Sequence, residues 1–272
     1  MCVGEMEVVD YPVLNLSSSS AADFRYWYHL AKDPIWEDLH HPHHKPYLFT
    51  ASIIPSVLGV GYMSPCKLFH LMSLQAGCES TITSNTETKT SNPAIEWGSN
   101  NEPLAVNQLV ADYMPDWYPL ECGLKLHPAL PHIGATPDRI LIHSDGDHSG
   151  SSTLSALEWL PLEVKCPWKR ELPTTVEDIP LKWLMQVQIQ LDCLSIQTGL
   201  LHIWRPFESK TFLISKCAAF CQDAYRGVDQ FIKWLDGTEQ PPSSRFLHKW
   251  ISSLPIEQPD FSYLYRFVLT VY

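Results

Sequence analysis

GATPDRILIH, residues 134–143, and WLPLEVKC, residues 159–166, decide the fold. Both are short apolar runs rich in residues that favour strands. Between them lies HSDGDHSGSSTLS (143–155), whose Asp, Gly and Ser content reads as a loop. Glu163 and Lys165 stand two apart on the second strand, so carboxylate and ammonium project from one face. Asp138 follows Gly134 and Pro137, residues that bend or constrain the backbone, in a strand-like segment. If the two strands are neighbours, Asp138 meets Glu163. Two carboxylates on adjacent strands form a hard-oxygen site suited to Mg²⁺ or Mn²⁺ with open positions for water and phosphate. A lysine beside them can orient or help deprotonate an attacking water and offset phosphate charge. Alone, Glu-x-Lys on a strand is ordinarily a surface ion pair worth under about 1 kcal/mol. The combination of PD with ExK in apolar surroundings is what points to a metal-assisted phosphodiester site.

Outward from these strands, helical spacing runs from Ala94 to Tyr113, with Leu104, Leu109 and Val110 at apolar positions. Asp116–His127 and His132–His143 read as two strands. A helix is expected over Ile179–Gln197, with Leu184, Val187, Leu191 and Leu194 as its buried stripe. LLHIWRP and KTFLIS read as strands, and Ala218–Leu235 as a long amphipathic helix stopped by Gly237, Pro241 and Pro242. CKLFHLMSLQAG, after Pro65, is a further helix, and STITSNTETKTSNP a polar linker. The order implies an α/β (α+β) fold, one mixed β-sheet flanked by helices. Residues 1–22 read as a loosely held arm and 23–272 as one domain, with a core over about 45–216 and a helical extension over 217–272.

The chain has 272 residues, 45% hydrophobic and 18% charged, an ordinary globular composition. No apolar run approaches the roughly 18 to 20 residues that cross a bilayer, and the acidic start lacks the features of a signal peptide. An intracellular, reducing location is expected, cytoplasmic or nuclear. The eight cysteines include no CxxC pair, which argues against a disulfide framework or a zinc ribbon. Cys217 and Cys221, one helical turn apart, read as buried thiols in preference to metal ligands. HHPHHKP (40–46) reads as a solvated loop. The net charge of −11 argues against broad, nonspecific coating of DNA and leaves room for a narrow basic channel.

Five short motifs in order carry a resemblance: TAS (Thr50–Ser52), WGxxNExxA (Trp97–Ala105), GATPD (Gly134–Asp138), LEVKCPW (Leu162–Trp168) and QVQ (Gln186–Gln188). Over about residues 45–216 the chain resembles the YqaJ-like viral recombinase and phage lambda exonuclease group of the PD-(D/E)XK nuclease superfamily. The resemblance implies that Asp138 and Glu163 are direct metal ligands, joined by the carbonyl of Val164, with Glu102 supporting the site through water. It makes Lys165 the catalytic lysine and Gln186 the glutamine that helps hold the site. It places Ser52, and less directly Lys45, at a DNA 5′-phosphate. Lys169 and Arg170 are candidate contacts to backbone phosphates. Helix geometry separates Gln188 from Gln186 by about 200°, whereas Gln190 shares the Gln186 face, so only one of the QVQ pair faces the metal; Gln186 is the choice. Where the family often has tyrosine three positions before the glutamine, this chain has Trp183.

The implied activity is a Mg²⁺-dependent deoxyribonuclease, with Mn²⁺ as substitute and two ions. It would degrade linear duplex DNA ends 5′ to 3′ for recombination or viral genome processing. A single-strand annealing protein is a possible partner, and a ring of three follows from the resemblance alone. The same core suits an endonuclease or an RNA-cleaving relative of the alkaline nuclease type. A nucleic-acid-binding subunit without catalysis is the alternative of another class.

Overall fold

The computed structural model describes residues 47–77, 92–143, 159–242, 247–258 and 260–271. Lys45, the 1–22 arm, the histidine-rich stretch before Pro46, most of the 80–93 linker and nearly all of the 143–155 loop lie outside the described residues. Two sheets organise the rest. The smaller has strand order β1-β4-β3, from Phe49–Thr50, Leu130–Ala135 and Lys125–His127. The larger has order β2-β5-β6-β7-β8-β9: Trp117–Leu120, Arg139–His143, Trp159–Lys165, Thr198–Arg205, Glu208–Ser215 and Val268–Thr270. In it β6 and β7 are parallel and the other pairs antiparallel, so the sheet is mixed, as expected.

The segments expected as single strands over 116–127 and 132–143 are each two strands. They form one hairpin whose tip, β3–β4, belongs to the small sheet and whose base, β2–β5, belongs to the large one. Both arms break at the same level, between Leu120 and Lys125 and between Ala135 and Arg139. Pro137 accounts for the second break, since it has no N–H to give a ladder. Asp138 therefore sits at the break itself, immediately before β5.

The helices are α1 (Ile54–Val57), α2 (Pro65–Gly77), α3 (Pro93–Tyr113), α4 (Leu181–Cys193), α5 (Ala218–Leu235) and α6 (Leu247–Ser252). Asn92 caps α3 by accepting from the N–H of Ala94 at 3.0 Å, with Pro93 in the first turn. Its buried face is Ala105, Val106, Leu109 and Val110; Leu104, expected among the apolar positions, is exposed. Helix α4 is shorter than the expected Ile179–Gln197. Pro180 precedes it, and Ser195, at φ 57, takes the left-handed conformation after its end. Leu184, Val187 and Leu191 are buried as expected, but Leu194 lies past the helix and is only partly buried.

Side chains alternate across the large sheet and feed two cores. Leu162, Val164, Leu200 and Trp204 pack with α3, while Leu201, Ile203, Phe212 and Ile214 pack with α4 and α5. The extension read as helical also supplies a strand, because β9 pairs with β8 at the sheet edge.

Candidate active site

The alternation that buries Leu162 and Val164 against α3 turns Glu163 and Lys165 toward α4. The β5–β6 register sets Arg139 opposite Leu162, which brings Asp138 level with the residues that follow. Its Oδ2 accepts the main-chain N–H of Val164 at 2.7 Å. Glu163 is 1% exposed, and both its oxygens have donors. Oε1 accepts from Lys165 Nζ and from Gln186 Nε2, the latter at 2.7 Å; Oε2 accepts from Gln190 Nε2. Gln186 and Gln190, one turn apart on α4, thus grip the carboxylate like a fork. Gln188 faces elsewhere: it is buried, donates to the Ser215 carbonyl at 2.8 Å and accepts from the Cys217 N–H at 2.6 Å.

Glu102 approaches from α3. Its Oε1 accepts from Arg139 at 3.0 Å, and the same guanidinium also bonds the Asp138 carbonyl. The next residue, Pro103, lies within the helix and withholds one N–H from the preceding turn.

Burial works against a charge on Asp138, and the neighbouring Glu163 and Glu102 carboxylates add to it. Despite Lys165 and the Val164 N–H, the Asp138 carboxyl is pushed up to about 8. Burial also disfavours the Lys165 ammonium, but Glu163 and Asp138 outweigh it and raise Lys165 above the ordinary lysine range. Lys165 is therefore held as a cation facing two carboxylates. Burial, with Glu102 and Asp138, pushes the adjacent Cys166 thiol up to about 12.

The residues present fit a hard divalent cation in one specific respect. The buried Glu163 carboxylate and the half-buried Asp138 carboxyl crowd each other enough to raise Asp138, and a cation between them would favour the ionised form of both. Among the described residues no three His, Cys, Asp or Glu side chains gather as a complete ligand set. The donors would be Asp138, Glu163 and main-chain oxygen, with solvent or phosphate filling the rest, the sparse coordination that Mg²⁺ accepts. Cys217 and Cys221 are both buried, and neither belongs to such a group.

The structure thus gathers Asp138, Glu163, Lys165 and Gln186, with Val164 between the last two strand residues and Glu102 alongside through Arg139. Ser52 is exposed on the turn after β1, its hydroxyl 3.0 Å from that of Thr50. Strand β1 lies parallel to β4, the strand that leads to Asp138, and the Ala51 N–H reaches the Gly134 carbonyl at 2.8 Å. Lys169 is exposed, and the Arg170 guanidinium stands 5.9 Å from the centre of the Trp183 ring. Trp183 is buried and donates its indole N–H to the Tyr62 hydroxyl at 3.2 Å. Gln190 was not among the expected site residues, although its four-residue spacing from Gln186 carried the signal. Arg139 and Tyr62 had none.

The mixed sheet, with a carboxylate immediately before β5 and Glu-x-Lys on β6, defines the PD-(D/E)XK nuclease class. The sequence profile of the YqaJ-like viral recombinase domain matches residues 36–200, and the chain belongs to that family. Its fold is similar to that of an alkaline exonuclease from Laribacter hongkongensis, at 19% identity and a TM-score of 0.50, covering 70% of this chain and 89% of that one. A phage-related exonuclease from Haemophilus somnus 129PT aligns at 10% identity and a TM-score of 0.49, over 75% of this chain and 97% of the other. No curated protein matches the sequence significantly. Among the described residues no helix is long and apolar enough to cross a membrane.

Proposed function

We propose that the chain is a Mg²⁺-dependent exonuclease, with Mn²⁺ as substitute, that removes nucleotides 5′ to 3′ from linear duplex DNA ends. The observation that carries this reading is the meeting of Asp138, Glu163 and Lys165 at one break in the sheet. Asp138 and Glu163, with the Val164 carbonyl, would hold two cations, and Glu102 would support them through water. When bound, the cations supply positive charge at the attacking and leaving oxygens of the phosphodiester. Gln186 and Gln190 fix the orientation of Glu163, and Arg139 that of Glu102. Lys165, whose ammonium bonds Glu163, offsets charge on the phosphate and orients the attacking water. Ser52, beside the strand that leads to Asp138, would take the terminal 5′-phosphate with Lys45. Lys169 and Arg170 would contact the backbone, and the exposed strand product would pass to an annealing protein.

Labelled linear duplex with 5′-phosphate or 5′-hydroxyl ends, closed circular duplex, single-stranded DNA and RNA would each be incubated with Mg²⁺ or with chelator. Chelation should stop all cleavage. Charged hydrogen bonds to a terminal phosphate contribute about 1.5 to 3 kcal/mol each, so the 5′-phosphorylated duplex should be degraded at least about tenfold faster. Ser52→Ala should shrink that preference and leave slow cleavage of 5′-hydroxyl ends nearly unchanged. Closed circles cut as fast as linear duplex, with no effect of the 5′-phosphate, would rule out the exonuclease and leave an endonuclease.

A further inference from the structure

Tyr62 is 79% exposed, yet the chain that carries it is tightly held. Gly59 sits at φ 81, a conformation that side chains rarely adopt. The N–H groups of Val60 and Gly61 both donate to the Pro55 carbonyl, at 2.9 and 2.8 Å. A Cβ on Gly61 would fall 2.2 Å from Ser56 Oγ and 2.4 Å from the Ser56 nitrogen, so only glycine fits. Met63 N–H closes the turn on Ser56 Oγ at 3.4 Å. A ring presented to water by so constrained a turn gains little from packing within this chain.

Its neighbours are cations and another aromatic ring. The Lys182 ammonium lies 3.5 Å from the centre of the Tyr62 ring. The Tyr62 hydroxyl accepts from Trp183, and Arg170 stands beside the Trp183 ring. Trp183 is one helical turn before Gln186, whose amide holds Glu163. A ledge of alternating rings and positive charge therefore begins one turn of α4 from the carboxylates. Lys182 lies over the Tyr62 ring, which is still 79% exposed. Aromatic faces with flanking cations are what an unpaired nucleotide strand requires, since every base has a π-face and every linkage a negative charge.

Resting on the nuclease reading above, we propose that Tyr62 and Lys182, with Arg170, form a subsite for an unpaired nucleotide adjoining the scissile phosphate. The base stacks on the exposed Tyr62 ring, and Lys182 and Arg170 take the flanking phosphates. Tyr62 sets the preference for an unstacked base at that position.

The full chain, with Ca²⁺ in place of Mg²⁺, would be titrated with a 5′-phosphorylated duplex bearing two unpaired terminal nucleotides, one of them 2-aminopurine. Binding by the wild type should quench the fluorescence, and Tyr62→Phe, which keeps the ring, should quench it equally. Tyr62→Ala should lose most of the quench and bind about tenfold more weakly. Lys182→Ala should keep the quench but bind more weakly, with a shallower dependence on salt. Unchanged quench and affinity in Tyr62→Ala, with circular dichroism like the wild type, would overturn the subsite and leave the nuclease reading standing. Failure of the wild type to bind the duplex at all would overturn both.

Discussion

Glu163 and Asp138 are neighbouring carboxylates with opposite consequences for stability. Glu163 is sealed from water and satisfies three donors, including the buried amide of Gln190. Removing it leaves that amide and the Lys165 ammonium without their acceptor. Asp138 is different: its charge is opposed by burial and by Glu163, while the hydrogen bond it accepts from the Val164 N–H needs only an oxygen. Without divalent cation, Glu163→Ala should lose about 1 to 3 kcal/mol of stability in urea melts. Asp138→Asn should gain about 0.5 to 2 kcal/mol, the pattern of a site strained for function. Both should retain less than about a tenth of the hydrolytic rate, a barrier increase above about 1.4 kcal/mol. An Asp138→Asn variant that is less stable than wild type would show that the carboxylates are not in electrostatic conflict.

At the scale of elements, β7 carries its own pH sensitivity. His202 is fully buried, its Nδ1 is 2.8 Å from the Thr211 hydroxyl, and its Nε2 has no partner among the described residues. Burial pushes its pKa down to about 4 from the ordinary 6.5. The folded chain thus keeps this imidazole neutral where the unfolded chain binds a proton. Its contribution is fully present above pH 6.5 and is lost as pH falls toward 4, a change on the order of 3 kcal/mol. Urea melts between pH 7 and 4 should show that slope, and His202→Gln should flatten it. An equal slope in both proteins would assign acid sensitivity to other groups.

For the whole molecule, the C-terminal extension packs into the core on the α4–α5 side of the large sheet. Phe261 is buried edge-on against Phe220 of α5, with ring centres 5.8 Å apart, and the Tyr265 hydroxyl donates to the Ile179 carbonyl at 2.8 Å, just before α4. The same segment leads into β9. We expect Phe261→Ala to cost about 3 to 5 kcal/mol, measured by urea unfolding in one cooperative transition. A loss below about 1 kcal/mol, or a separate early transition, would mark the extension as an appended unit.

The sequence by itself determined what local chemistry can encode. Period-two alternation put Glu163 and Lys165 on one face of β6, and four-residue spacing put Gln186 and Gln190 on one face of α4. Helical spacing located α3, and breakers stopped α5; the expected spans are those observed to within a residue. Five ordered motifs pointed to the family. Only the tertiary structure decided which distant groups meet. The hairpin over 117–143 divides between two sheets because Pro137 cannot continue a ladder, and a pattern of apolar residues does not say which partner strand each half will find. The second amide on Glu163, the Arg139–Glu102 pair and the Tyr62 ledge all depend on long-range packing. Tyr62 is set beside Lys182 by a turn closed on Pro55 and Ser56 and by the seating of α4 on the sheet, contacts between segments far apart in the chain that no periodicity records.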